Sequence, residues 1–222
     1  MGSRVSWLHP NMPWDNTSLF IVTINSRGEL GKAKLIAGAD DNESVCQPLW
    51  SPDDTLYFIS DKNNWWNLYR LNEKGIECVL ELEAEFAVPQ WSFRECNYDF
   101  IDNDSIMAVY RKQGLAYLAM INTNEKNLET FSLPYTDIES LVCDQRTACF
   151  LAASPTEFAS IIEYDIEQQK IDIIQKSNNI SKNIFLLVKA SAFLLVKIKM
   201  HMLFFIGHRI DISLGLIMKN RH

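Results

Sequence analysis

The sequence lacks the motifs that would assign it a catalytic or metal chemistry. Its eight glycines include no two that lie four residues apart, so the 222 residues contain no G-x-S-x-G nucleophile elbow. Its five cysteines form no C-x-x-C pair, which favours reduced thiols over disulfides or a zinc site. No apolar stretch follows Met1, so no secretory signal is predicted and a cytoplasmic location is expected. The cysteines are Cys46, Cys78, Cys96, Cys143 and Cys149.

Basic residues are scarce in most of the chain and concentrated at its end. Residues 1–178 hold 14 basic and 27 acidic side chains, a net charge of -13, whereas residues 179–222 hold seven basic side chains and one acidic one. A surface this acidic repels phosphates, so nucleic acid is not an expected partner. The abrupt change in composition predicts two unlike pieces, 1–178 and 179–222.

Two independent landmarks repeat within the acidic piece. A tryptophan recurs at spacings of 43 and 41 residues, as Trp7, Trp50 and Trp91. A short apolar run that ends in a polar turn recurs at spacings of 47, 50 and 43 residues. These runs are Ile21 to Asn25, Leu68 to Asn72, Leu118 to Asn122 and Ile161 to Asp165. Both landmarks indicate a repeat of about 40 to 50 residues.

Each repeat has the sequence of several short β-strands. Residues 55–60 form an apolar, β-branched and aromatic run with turn residues on both sides, and residues 65–71 and 76–82 are joined by a hairpin turn. This pattern is typical of a β-propeller blade, although other all-β repeats remain open. The predicted fold is an all-β partial β-propeller of about four blades. The first unit has no room for its own leading strand, which favours an arc of a larger propeller over a closed ring.

Several segments resemble the N-terminal propeller of bacterial serine peptidases of the prolyl oligopeptidase family, and they occur in the same order as in that family. The similarity is to the acylaminoacyl-peptidase and dipeptidyl-aminopeptidase-like branch, and it covers about residues 5–176. The segments that carry it are 9–15 (HPNMPWD), 47–58 (QPLWSPDDTLYF), 60–61 (SD), 65–70 (WWNLYR), 89–91 (PQW), 133–136 (LPYT) and 154–157 (SPTE).

The resemblance implies a domain that this chain does not contain. In the family, the propeller restricts entry to small peptides and is followed by an α/β-hydrolase domain with a serine, aspartate and histidine triad. Since the elbow motif is missing, the chain is interpreted as a truncated, inactive remnant whose enzyme status is uncertain. No catalytic, cofactor-binding or metal-binding residue is assigned, and no cofactor is expected. Peptides are the candidate partners of the propeller.

The remaining candidates are each predicted to be structural. His9, the histidine of the acidic piece, lies in a loop-like run, and Ser51 and Ser92 follow repeat tryptophans as turn residues. Of the adjacent residues Trp65 and Trp66, one is expected in the core and one at the surface. The carboxylate clusters, which lack the spacing of a calcium loop, are Asp53 with Asp54, Asp102 with Asp104, and Glu81, Glu83 and Glu85.

The basic apolar piece, residues 179–222, is interpreted as a frameshift product that is irregular or helical. A membrane span would place lysines in the bilayer at about 2.5 to 3.5 kcal/mol each, so membrane association is not expected. A shifted reading, in which each codon takes the last base of one residue and the first two of the next, reproduces the family's exit from the propeller. Methionine has one codon, so Met200 before His201 forces alanine and Met218 before Lys219 forces glutamate in that reading.

Two hypotheses compete with the remnant. A freestanding propeller could bind a protein or peptide partner, and a closed ring of four blades would support it. A membrane-tethered protein that uses residues 179–222 is the third hypothesis.

Overall fold

The computed structural model describes residues 1–38, 42–92 and 95–177, together with two later strands. In these ranges the regular elements are β-strands in antiparallel sheets. Over the same ranges, no helix has the length and apolar character needed to cross a membrane. The five cysteines are free.

The first four sheets follow one another in chain order, and each is a blade. Blade 1 contains β1 (Gly2–Ser6), β2 (Ser18–Val22) and β3 (Lys34–Ala37). Blade 2 contains β4 (Val45–Trp50), β5 (Leu56–Ser60), β6 (Asn67–Asn72) and β7 (Gly75–Cys78). Blade 3 contains β8 (Tyr98–Phe100), β9 (Ser105–Lys112), β10 (Leu115–Asn122) and β11 (Asn127–Thr130). Blade 4 contains β12 (Asp137–Cys143), β13 (Thr147–Ser154), β14 (Glu157–Asp165) and β15 (Lys170–Lys176).

This arrangement confirms the predicted all-β fold of about four blades. Strands within a blade pair with their neighbours in sequence, and the four blades do not close into a ring. The chain is therefore an open arc.

Blade 1 has three strands where the others have four, and the repeat shows which strand is missing. The apolar landmark falls on β2, β6, β10 and β14. In blades 2 to 4 that strand is the third of its blade, but in blade 1 it is the second. Among the described residues, blade 1 thus has no strand in the first position, which β4, β8 and β12 occupy in the other blades. The expectation that the first unit lacks its leading strand is confirmed.

The tryptophan landmark does not mark equivalent positions, and in this respect the sequence interpretation is wrong. Trp7 follows β1, Trp50 ends β4, and Trp91 lies in the loop before β8. Trp7 and Trp91 line one cavity, as described below, whereas Trp50 packs between blades 1 and 2.

The middle blades bury both of their faces, which explains their continuous apolar strands. In β5, Tyr57 and Ile59 pack toward blade 3, while Leu56 and Phe58 pack toward blade 1. Successive residues of a strand point to opposite faces, so a strand between two neighbours needs apolar side chains at every position. In β9, even-numbered residues from Ile106 to Tyr110 likewise face blade 2, and odd-numbered ones face blade 4.

Among the described blades, blade 3 packs on one face of blade 4, and none packs on the other. Phe150 and Ile162 are buried against blade 3. On the opposite face, Val142, Leu151 and Ile161 are exposed by 57%, 39% and 41%. Apolar side chains on this open face are what a further blade or another protein surface would cover.

Two strands lie in the segment where the sequence predicts irregular or helical structure. They are β16 (Val188–Phe193) and β17 (His201–Ile206), which pair antiparallel. The structure differs from the expectation here, because both segments are short apolar runs compatible with strand pairing. The other residues of 179–222, and with them the predicted boundary after residue 178, lie outside the described residues.

A charged cluster joins blade 2 to blade 3 at the surface. Lys126, in the turn between β10 and β11, donates a hydrogen bond to Glu77 of β7, and Arg70 of β6 donates to the same carboxylate at 3.1 Å. Lys126 and then Arg70 lower the pKa of Glu77 from 4.5 to about 2.

This cluster predicts an acid-sensitive contribution to stability. Because the folded pKa of Glu77 is depressed, its contribution is complete above about pH 4.5 and is lost as the pH falls toward 2. At pH 6, Glu77→Gln is expected to lower the free energy of unfolding by about 1 kcal/mol or less, since the pair is partly exposed. Urea unfolding at several pH values checks whether wild type and variant converge at low pH. Glu73→Gln, in the adjacent exposed turn, is the matched control, and equal effects of both variants would contradict the prediction.

Candidate functional site

A cavity lies beside β1. Its volume is about 780 Å³, and it is lined by residues of β1 and β4 and by the loop residues Trp7, 12–14, 90–92 and 95–96. β1 and β4 belong to different blades, so the cavity opens between blades 1 and 2. The loop that leads into blade 3 forms its remaining wall. The cavity therefore occupies the region next to the vacant first-strand position of blade 1.

Aromatic side chains dominate one end of this cavity. Trp14 and Trp91 are in contact, with ring centroids 4.4 Å apart and ring planes inclined by 46°. Trp91 is 76% exposed, and Trp7 and Met12 are also exposed at the same cavity. Large apolar side chains grouped at an open cavity form a surface suited to apolar ligand groups.

A bulge in β4 shapes the cavity wall. Gln47 has a φ of 49°, and the register between β4 and β5 shifts between Cys46 and Leu49. Pro48 has no backbone N–H to give to the ladder and is therefore tolerated at this interruption. In blade 4, β12 carries the same irregularity at Ser140, where φ is 57°. Bulges in first strands are thus a recurring feature of this propeller.

The side chain at the β4 bulge fastens blade 2 to blade 3. Gln47 Nε2 donates to Asn97 Oδ1, and the Asn97 backbone N–H donates to Gln47 Oε1, both at 2.8 Å. The Tyr98 hydroxyl donates to the Gln47 carbonyl oxygen at 2.7 Å. Asn97 and Tyr98 are buried away from water, so their polar groups depend on these hydrogen bonds within the protein. The clamp therefore fixes the start of blade 3, directly after the cavity-lining residues Glu95 and Cys96.

One carboxylate at the cavity has an oxygen without a partner. Glu95 Oε2 is buried and accepts no hydrogen bond within the described structure. Nearby, burial raises the pKa of the Cys46 thiol strongly, and the negative charges of Asp61 and Glu95 add to this effect. Cys46 is therefore a neutral wall residue, and Glu95 supplies negative charge that no described cation neutralises.

A second, smaller cavity of about 300 Å³ adjoins the first. It shares Glu95 and Cys96 with the larger cavity and extends to Arg111 and Glu139. Arg111 Nη2 forms ion pairs with Asp137 at 3.3 Å and Glu139 at 3.7 Å. Its positive charge is thus already paired within blades 3 and 4.

The serine and histidine candidates lie at separate places. His9 is exposed in the loop after β1. Ser51 lies in the turn before β5, where its hydroxyl contacts Asp53 and its Oγ accepts a hydrogen bond from the Thr55 N–H at 3.0 Å. Ser92 is exposed at the rim of both cavities.

The carboxylate candidates serve turns and strand ends. Asp102 Oδ1 accepts hydrogen bonds from the N–H groups of Asp104 and Ser105, both at 2.8 Å. Glu85 accepts from the Trp66 N–H at 2.9 Å, and burial raises the pKa of Glu85. In residues 1–38, 42–92 and 95–177, no group of three or more His, Cys, Asp or Glu side chains is arranged to hold a metal.

The paired tryptophans divide as the alternation of strand residues predicts. Trp66 is partly buried against the core between blades 2 and 3, whereas Trp65 is 37% exposed. They do not form a joint platform. Sequence reasoning missed Gln47, Glu95 and the contact between Trp14 and Trp91, and Pro48 within a strand was the available signal for the bulge.

Comparison with solved structures identifies the fold as part of a peptidase propeller. Puromycin hydrolase matches with a TM-score of 0.80 at 23% identity, over 88% of this chain and 30% of that chain. A Mycobacterium tuberculosis puromycin-hydrolyzing peptidase matches with a TM-score of 0.78 at 25% identity, over 86% of this chain and 29% of that one. Prolyl oligopeptidase B from Galerina marginata matches with a TM-score of 0.66 at 10% identity, over 87% and 27%.

The matching region in the puromycin hydrolases is their propeller. The chain spans about 30% of the length of those proteins. No protein-family model and no curated protein sequence matches it. The similarity therefore shows the fold and its relationship to peptidase propellers.

The clamp at Gln47 predicts a selective loss of stability. Gln47→Ala removes two hydrogen bonds, so the backbone N–H and the side-chain Oδ1 of buried Asn97 lose these partners. This loss should lower the free energy of unfolding by about 1 to 3 kcal/mol. Gln113→Ala is the matched control, because Gln113 is exposed and has a similar φ of 52°. Urea unfolding of both variants measures the difference. Equal losses would show that the backbone conformation, and not the clamp, determines the effect.

Proposed function

We propose that the chain is a remnant of a prolyl-oligopeptidase-family serine peptidase that retains part of the substrate-gating propeller and no catalytic domain. The observation that carries this proposal is the fold match to puromycin hydrolases over nearly nine-tenths of the chain. The ordered motifs from 9–15 to 154–157 support the same family. The parent enzyme would hydrolyse peptide bonds near the N-terminus of short peptides, and its propeller would admit only small substrates.

Catalytic inactivity is part of this proposal. The 222 residues contain no G-x-S-x-G motif, and Ser51 is a turn residue whose hydroxyl is bonded locally. His9 is exposed on a loop, without a described serine and carboxylate arrayed around it. A nucleophilic serine needs a general base within hydrogen-bonding distance and a third group that orients the base.

A freestanding interaction module is the alternative function. A propeller that works alone is expected to close its ring, since closure leaves few unpaired edges and faces. The open arc and the exposed apolar face of blade 4 favour the remnant. The cavity beside β1 is the feature that favours a binding role, and it would bind peptides in a remnant as well as in a freestanding module.

The proposal predicts no serine hydrolase activity. The purified chain should not turn over aminoacyl or acyl-aminoacyl chromogenic substrates, and a fluorophosphonate probe should leave it unlabelled, because no serine is activated. Mass spectrometry of the treated protein gives the labelling stoichiometry. Stoichiometric labelling at one serine that disappears in Ser51→Ala or Ser92→Ala would contradict inactivity, and those variants therefore serve as controls.

For residues 179–222 we propose a frameshift origin, and the coding DNA tests it. Adding or removing one base near codon 179 should restore a reading frame that continues through the family's junction into a hydrolase domain with a G-x-S-x-G serine. Sequencing of the region and its downstream flank is the measurement. A downstream sequence without such a frame would contradict the proposal, and the fold relationship of residues 1–177 would be unaffected.

A further inference from the structure

The strand β1 has one paired edge and one open edge. It pairs along its whole length with β2, from Gly2 opposite Val22 to Ser6 opposite Ser18. Among the described strands, none pairs with its other edge. In blades 2 to 4 the equivalent edge is covered by β4, β8 or β12. Blade 1 is therefore short of one strand at a position that the other three blades fill.

An open edge presents backbone groups that another strand can pair with. In an antiparallel pair, alternate residues direct their N–H and C=O groups to one neighbour and the remaining residues direct theirs to the other side. The cavity is lined by Ser3, Arg4 and Val5 of β1 and by Val45 to Leu49 of β4, so it lies against the strand whose second edge is unpaired. Such an edge is a template for strand addition.

The space beside this edge is suited to an extended chain. β1 has five residues, which corresponds to about 17 Å of strand at about 3.3 Å per residue. The cavity of about 780 Å³ is lined by three successive residues of this strand, Ser3 to Val5, and also by the exposed Trp7 and Trp91. Added backbone would satisfy the open edge, and apolar side chains would cover the tryptophans.

Charge defines the chemistry of the added strand. Glu95 lines the cavity, its buried Oε2 has no hydrogen-bond partner, and residues 1–178 carry a net charge of -13. Arg4 also reaches the cavity, but its guanidinium lies over the Phe20 ring, 5.2 Å from the centroid, and it forms no ion pair with Glu95 in the described structure. A positive side chain on the added strand would supply the missing partner of Glu95.

We propose that an extended peptide from another molecule binds by adding an antiparallel strand to the open edge of β1, with a basic residue paired to Glu95 and apolar residues against the tryptophans. This goes beyond the proposed function, because it rests on the edge of β1 that no described strand covers and on the unpartnered oxygen of Glu95. The peptide needs no free N-terminus for this binding, because the backbone hydrogen bonds and the basic side chain make the interaction.

The test uses the full chain and a designed probe. The probe is a fluorescein-labelled, acetylated and amidated peptide of alternating valine and threonine with a central lysine. Its controls are the same peptide with alternate backbone nitrogens methylated and the same peptide with glutamate for lysine. Fluorescence anisotropy measures binding. Methylation should weaken binding at least about tenfold, because it removes several ladder hydrogen bonds worth about 1 kcal/mol each.

Two variants separate the charge from the backbone contribution. Glu95→Gln should weaken binding of the lysine peptide about three- to tenfold, as expected for loss of a partly buried ion pair, and should leave the glutamate peptide no weaker. Glu73→Gln, at an exposed turn in blade 2, should bind as the wild type does. A circular dichroism spectrum and a urea midpoint for each variant show that the fold is retained.

Hydrogen exchange decides whether the edge is open and what covers it. Amides of β1 that face the cavity should exchange rapidly in the free chain and become protected when the lysine peptide is added. Protection before any peptide is added would overturn the proposal, since a segment of the same chain or a second copy would then cover the edge. Absence of binding by the lysine peptide, or equal binding of its methylated form, would also overturn it.

Discussion

Apolar packing between neighbouring blades is the interaction on which the rest of the structure depends. Three clusters of buried side chains lie between consecutive blades, and the strands of blades 2 and 3 contribute to two clusters each. A single blade would expose both of its apolar faces, so its sheet is stable only between neighbours. The position of the cavity, between blades 1 and 2, follows from this stacking.

Because each blade needs a neighbour on both faces, the two ends of the arc are the places where surfaces are left uncovered. At one end blade 1 has an open strand edge beside a cavity, and at the other blade 4 has an exposed apolar face. In a ring, both would be covered. The solved structures that match this fold belong to proteins about three times as long as this chain.

The success of the sequence-based predictions depended on whether a feature was local. The turn at residues 72–75 forms as predicted, with Asn72 Oδ1 accepting from the Lys74 N–H at 2.9 Å and Gly75 at a φ of 121°. Alternation along one strand also placed Trp65 outward and Trp66 inward. The tryptophan repeat failed because Trp7 and Trp91 come together across blades, and sequence spacing does not show contacts of that kind.

By itself, the sequence determined the all-β fold class, the repeat length and the number of blades, because turn residues and apolar runs act within a few positions of one another. It also determined the acidic charge and the lack of an elbow motif. Only the tertiary structure decided that Gln47 clamps blade 3, and that Glu95, whose Oε2 has no partner, lines the same cavity as β1. These features join residues about 50 or more positions apart, and only the packing of one blade on the next brings such residues together.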